Sequence, residues 1–274
     1  MGLHGIHQQM RKGRNKEQII MSPKTTESKK KVKKEVTPSA SSVSGIIPDV
    51  VAMLEAGVHF GHEKSKRNPK MEQYIYMHRS HVAIIDLNHT KAGMEKAAAF
   101  AHEIASRPHG EILFVGTKRQ ARAIIRKYAE AVNMPYITKR WLGGTLTNFS
   151  TIQKSIEKLD ELKRTDDAKH MVRLTKKERA VRQKEIERLE SVLEGMKTLR
   201  ALPAAIFVAG AHDERIAVKE AVRMGIPVIG LADTNSDPSL LACPIPANDD
   251  AIRSIELITH VVAQAIAKAK GITL

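Results

Sequence analysis

The chain has 274 residues and a mass of 30.4 kDa, with 42% hydrophobic and 27% charged residues, which is enough for a sizeable core in one large or two modest domains. Its 45 Lys and Arg against 30 Asp and Glu leave a net charge of +15, so a polyanionic partner is favoured, either nucleic acid or an anionic membrane surface. A single cysteine, Cys243, excludes an intramolecular disulfide framework and any Cys-rich zinc module, and it suits a reducing, cytoplasmic setting.

Residues 1–45 carry 10 Lys and Arg against 3 Asp and Glu, including the run Lys29-Lys30-Lys31-Val32-Lys33-Lys34, followed by a Ser, Thr and Pro-rich stretch. So few large apolar residues cannot offset the entropy of ordering, and a disordered basic tail is expected. It has no apolar core of a secretory signal, and Ile6 stands where a myristoylation pattern needs Ser or Thr. It also lacks the apolar face of a membrane-surface helix.

From Pro48 the pattern becomes globular. A short helix is expected over Pro48–Ala56 and a loop rich in His, Gly, Asn and Pro over His59–Pro69. Strand-like runs follow at His81–Leu87, Glu111–Val115, Pro135–Thr138, Ala204–Val208 and Ile226–Leu231, most of them β-branched and nearly continuously apolar, as strands covered on both faces are. Helical stretches lie between and after them at His89–Ser106, Thr117–Val132, Asp213–Met224 and Asp249–Lys270. Alternation of strand and helix predicts a parallel sheet in a three-layer, flavodoxin-like α/β domain, formed by 46–149 and 201–274.

Residues 150–200 break the alternation. Ile152, Ile156 and Leu159, then Ile186, Leu189, Leu193 and Met196, recur at heptad spacings, so an inserted antiparallel coiled-coil hairpin is expected, turning through a polar loop at 165–174. Thr175-Lys176-Lys177-Glu178 has capping-box spacing and marks the start of the second helix. Over the whole chain the charge divides unevenly: +7 on 1–45, +10 on 46–200 and −2 on 201–274.

Motifs for enzymatic chemistry are scarce. There is no G-x-G-x-x-G, Walker-type loop, nucleophile elbow or HExxH. The turn Val115-Gly116-Thr117-Lys118 offers a tight bend, a helix start and cations. It suits a phosphate of RNA or of a small ligand, or is a plain strand-to-helix turn. His59 and His62 have a spacing compatible with metal on a helical turn, yet no further ligands are spaced to complete the set; Asp233-Thr234-Asn235-Ser236-Asp237-Pro238 reads as an Asx-type turn. No metal, cofactor or catalytic residue is expected. The run from Arg140 to Phe149 holds the one tryptophan and a Gly pair, so Trp141, Gly143, Gly144 and Asn148 are read as a structural hinge at the base of the insertion.

Taken together, several separated motifs resemble the bacterial ribosomal protein S2 family. They are Ala56-Gly57-Val58-His59-Phe60-Gly61-His62, Asn68-Pro69-Lys70-Met71, Leu113-Phe114-Val115-Gly116-Thr117-Lys118, Arg140-Trp141-Leu142-Gly143-Gly144 with Leu146-Thr147-Asn148, Leu174-Thr175-Lys176-Lys177-Glu178, and Asp233 to Pro238 with Asn248-Asp249-Asp250-Ala251. The resemblance covers about Ile46 to Gly271. It implies a non-enzymatic structural constituent of the small ribosomal subunit with a flavodoxin-like domain and a coiled-coil hairpin. Its implied partners are small-subunit ribosomal RNA and neighbouring proteins, including the large, mobile first protein of that subunit.

With that resemblance, the RNA-binding residues expected are Lys64, Lys66, Arg67 and Lys70 in one loop, Lys118, Arg119, Arg122 and Arg126 on one helix, and Lys139 and Arg140 beside the hinge. Such cations contact phosphates and position a protein without reading base sequence. One departure is that Gly210 and His212 stand where the family commonly shows acidic residues, which argues against carrying a cation pocket over to that strand end. The competing reading is a flavodoxin-like small-ligand or sugar-phosphate protein using the turn at Gly116 to Lys118.

Overall fold

A computed structural model describes residues 45–164 and 175–274. The expected tail, apart from Gly45, and the expected polar loop at 165–174 lie outside the described residues.

Helix α1 (Val50–Glu55) starts where the Asp49 carboxylate accepts from the Val50 N–H at 2.7 Å. Three short strands follow, β1 (Phe60–Glu63), β2 (Ile75–Arg79) and β3 (Val82–Ile85), in an antiparallel sheet of order β1-β3-β2. This corrects two expectations. The His81–Leu87 run is no part of the parallel sheet, and a strand lies inside the segment read as a loop.

The physical reason is burial on one face only. Ala83 and Ile85 are buried while Val82 and Ile84 are half-buried, an alternation that an unbroken aliphatic run conceals. In β1, Gly61 is needed because a Cβ there would lie 2.5 Å from the Thr234 side chain. Glycine and histidine masked the strand signal.

The main sheet is parallel, with order β5-β4-β6-β7-β8: β4 (Ile112–Val115), β5 (Tyr136–Ile137), β6 (Ala205–Val208), β7 (Val228–Ala232) and β8 (Cys243–Pro246). Four of these match the apolar runs. Strand β8 was not expected, because two prolines in four residues argue against a strand except at a sheet edge, which is where it lies.

Alternate residues of the buried strands feed two cores. Phe114, Phe207, Ile229 and Leu231 pack with α2 (Leu87–Ala105), α3 (Arg119–Ala131) and α7 (Ile252–Lys270). Leu113, Val115, Ile206 and Val208 share the second core with α4 (Phe149–Arg164), α5 (Lys176–Leu193) and α6 (Arg215–Met224). The result is the expected three-layer α/β arrangement.

In the second core Ile152, Ile156 and Leu159 of α4 and Ile186 and Leu193 of α5 are buried, and Met196 and Leu199 continue the seam toward the sheet. The capping box is formed: Thr175 Oγ1 accepts from the Glu178 N–H, and the Glu178 carboxylate accepts from the Thr175 N–H at 2.8 Å. Among the described residues no helix is long and apolar enough to cross a membrane.

Candidate functional site

Strands β4 and β6 are neighbours, yet the chain leaves β4 toward β5 on one side and resumes at β6 on the other. Their carboxyl ends therefore open onto a topological switch point, the usual place for a ligand crevice in this architecture. Here the crevice is filled by the protein's own charges. Gly116 lets α3 pack on the strand, since a Cβ would meet Ile125 at 2.7 Å, and the Thr117 N–H donates to Glu214 Oε1 at 2.5 Å.

The Lys118 ammonium, expected on RNA, turns inward to Asp250 at 2.6 Å, Asp249 at 2.9 Å and Asp213 at 3.1 Å. Burial pulls its pKa down, but these three carboxylates outweigh burial and raise it well above the usual lysine range. Asp249 is 1% exposed, and burial, reinforced by Asp233, pushes its pKa up to about 6 against the pull of Lys118. Its Oδ2 has no hydrogen-bond partner and lies where a Cβ on residue 210 would come within 2.9 Å, so glycine at 210 gives this carboxylate its room.

His62 enters the same cluster from β1. Its Nδ1 lies 3.1 Å from Asp233 Oδ2 and its Nε2 3.4 Å from Asp250 Oδ2, and the hydrogen bond to Asp233 raises its pKa. His62, Asp233 and Asp249 each offer an atom within 4.8 Å of the others, a grouping able to hold a metal ion. Spacing alone could not reveal it, because the three residues come from β1 and from the separate segments that follow β7 and β8. The pairing considered from spacing, His59 with His62 on one helical turn, does not form, because His59 belongs to the turn that precedes β1 while His62 lies within the strand.

The remaining expected cations fall into two sets. Arg67 pairs with Glu72, Lys70 with Asp237 at 2.7 Å, and Arg126 with Glu130 at 2.9 Å. Arg122 donates to the carbonyls of Thr117 at 2.7 Å and Lys139 at 3.4 Å, which brings α3 to the segment after β5. Lys64, Lys66, Arg119, Lys139 and Arg140 are exposed and make no ion pair among the described residues.

The segment after Arg140 is organised by a residue the sequence reading missed. Glu220 of α6 accepts from Trp141 Nε1 at 3.1 Å and from the N–H groups of Gly144 at 2.8 Å, Leu146 at 3.0 Å and Thr147 at 3.3 Å. Although burial opposes it, this set of donors holds the Glu220 carboxyl below the usual range. Trp141 is buried, Gly144 takes φ +90°, and the Asn148 N–H closes the turn on Gly144 O at 2.8 Å, whereas a Cβ on Gly143 would meet nothing. The one available signal was an acid on the helix flanked by the buried Ala217, Val218 and Ala221.

A different surface lies on the outside of the small sheet. Phe60, Ile84 and Met77 stand opposite one another across β1, β3 and β2, with Phe60 50% and Met77 48% exposed. The register slips between Ile75 and Met77, so Tyr76 sits at a bulge and is 72% exposed.

A family model described as ribosomal protein S2 matches residues 53–269, a span that takes in both sheets, the acidic crevice, the Glu220-held loop and α4 and α5.

Proposed function

The chain belongs to the ribosomal protein S2 family, and from that premise we propose that it is a structural constituent of the small subunit seated on ribosomal RNA by the cations at the carboxyl edge of its main sheet. The observation that carries this reading is the division of the basic residues. Lys64, Lys66, Arg119, Lys139 and Arg140 are exposed with no ion pair among the described residues and remain available to phosphate, while the half-buried Lys118 is neutralised by three of the protein's own aspartates. An unpaired surface cation keeps its full attraction for a polyanion, and the bound counterions it releases make such binding salt-dependent.

The crevice speaks against the small-ligand reading. Its Thr117 N–H is taken by Glu214 and its ammonium by three aspartates, so a phosphate would enter a ring of carboxylates. For the protein partners, the apolar row of Phe60, Ile84 and Met77 with Tyr76 suits a neighbouring ribosomal protein, and we assign it to the large, mobile first protein of the subunit. Residues 150–200 are read as a coiled-coil hairpin inserted into the domain formed by 46–149 and 201–274, on the support of the seam from Ile152 to Leu193.

Binding of the full chain to small-subunit ribosomal RNA across a salt series tests the seat. Replacing Lys139 and Arg140 by glutamine should lower the slope of log affinity against log salt by about 2; an unchanged slope would overturn the reading. Phe60→Ser with Tyr76→Ser should release the protein neighbour in sedimentation while leaving RNA binding intact.

A further inference from the structure

We infer that the outer face of α6 is a second strip for the RNA phosphate backbone, carried by Arg215, Lys219 and Arg223. This rests on the reading that the loop at Lys139 and Arg140 meets RNA, and it extends that contact onto a helix not among the RNA-binding elements expected above. The three residues are four apart, so they lie on one side of the helix in steps of about 6 Å. All three are exposed, and none makes an ion pair among the described residues.

Helix α6 has no charge of its own to balance them. Its one acid, Glu220, gives its carboxylate to Trp141, Gly144, Leu146 and Thr147. The acid just before the helix, Glu214, turns away to the Thr117 N–H and caps nothing in α6. Arg215 therefore stands in the first turn against the positive end of the helix dipole, and successive cations repel each other at i,i+4. A helix face that serves only to keep the protein in water interleaves both signs and avoids these costs. An anion laid along the strip removes both.

Continuity points to the same anion. The bonds from Glu220 fasten the loop after Arg140 onto α6, and Arg122 reaches the Lys139 carbonyl, so α3, the loop and α6 are consecutive parts of one surface. RNA lying on Lys139 and Arg140 meets the α6 strip without leaving the protein.

The test is a salt series with the full chain and transcribed small-subunit ribosomal RNA. The variant R215Q/K219Q/R223Q should bind roughly tenfold or more weakly at about 0.1 M salt, with a slope lower by about 2 to 3. A control with the same loss of charge, K91Q/K96Q/K268Q on α2 and α7 across the sheet, should leave the slope nearly unchanged. R215K/R223K should bind like the unaltered chain. If the triple variant does not fold, R215Q and R223Q separately should each remove about 1 from the slope.

A fall with K139Q/R140Q but none with the α6 variants overturns this inference and leaves the parent reading standing; no fall with either overturns both. Unchanged RNA binding with loss of a neighbouring protein from reconstituted subunits would give the strip to an acidic protein surface and would equally overturn the proposal.

Discussion

Lys118 and the Lys139-Arg140 pair look alike in the sequence, cations at the ends of neighbouring parallel strands, yet they do opposite work. Lys118 is surrounded by Asp213, Asp249 and Asp250 and compensates buried negative charge, whereas Lys139 and Arg140 face solvent unpaired. The contrast teaches that positive charge in a sequence is not positive charge on a surface. What a phosphate can use is the remainder after internal carboxylates have taken their share.

Removing the internal cation should be the most damaging change. Lys118→Met strands Asp249 as a buried, unpaired carboxylate and is expected to cost about 3 kcal/mol at pH 7 in denaturant unfolding. The salt slope for RNA should stay unchanged in this variant, and a lowered slope would place Lys118 on the RNA side after all.

Next in size is Glu220→Ala, which leaves the Trp141 indole and three backbone N–H groups without their acceptor. We expect about 2 kcal/mol of destabilisation, with altered emission from the single tryptophan and weaker RNA binding, because the loop behind Arg140 is no longer held. If unfolding moves and RNA binding does not, the loop needs no such support.

A third check uses pH. The raised pKa of Asp249, about 6 against an ordinary 3.8, means that the folded protein holds this proton more tightly than the unfolded chain does. Its contribution to stability is complete below about pH 4 and is lost as pH rises through 6, on the order of 3 kcal/mol in all. The raised pKa of His62 acts in the same direction at higher pH. Asp249→Asn should flatten the profile between pH 4 and 6; a profile identical to that of the unaltered chain would remove the carboxylate from the balance.

The smallest expected effect completes the contrast. K139Q/R140Q should move unfolding by less than about 0.5 kcal/mol, since exposed cations without partners add little to the fold. A large loss of stability would show that the pair belongs to the internal network.

How much of this was legible in the sequence depended on the kind of signal. The β-branched runs of β4, β6 and β7 and the stripes of α2, α3 and α7 declare themselves, because burial on two faces or on one helix face writes a period into the chain. The capping box at Thr175 and Glu178 is equally local, and it formed as read. Strand β1 was hidden because Gly61 and His62 are chosen for what lies above them, Thr234 and Asp233, more than 170 residues away. The proline-rich β8 is tolerated only because it is an edge, and position in a sheet has no sequence signature.

By itself, then, the sequence determined the three-layer architecture, the start of helix α5 and the family, all of which rest on periodicity or on short ordered motifs. Only the tertiary structure decided which cations remain available, that His62 meets Asp233 and Asp250, and that Glu220 anchors the loop after Arg140. The reason is physical: these outcomes depend on pairings between side chains far apart in the chain, and a charge is cancelled or exposed by neighbours that folding alone brings within about 3 Å.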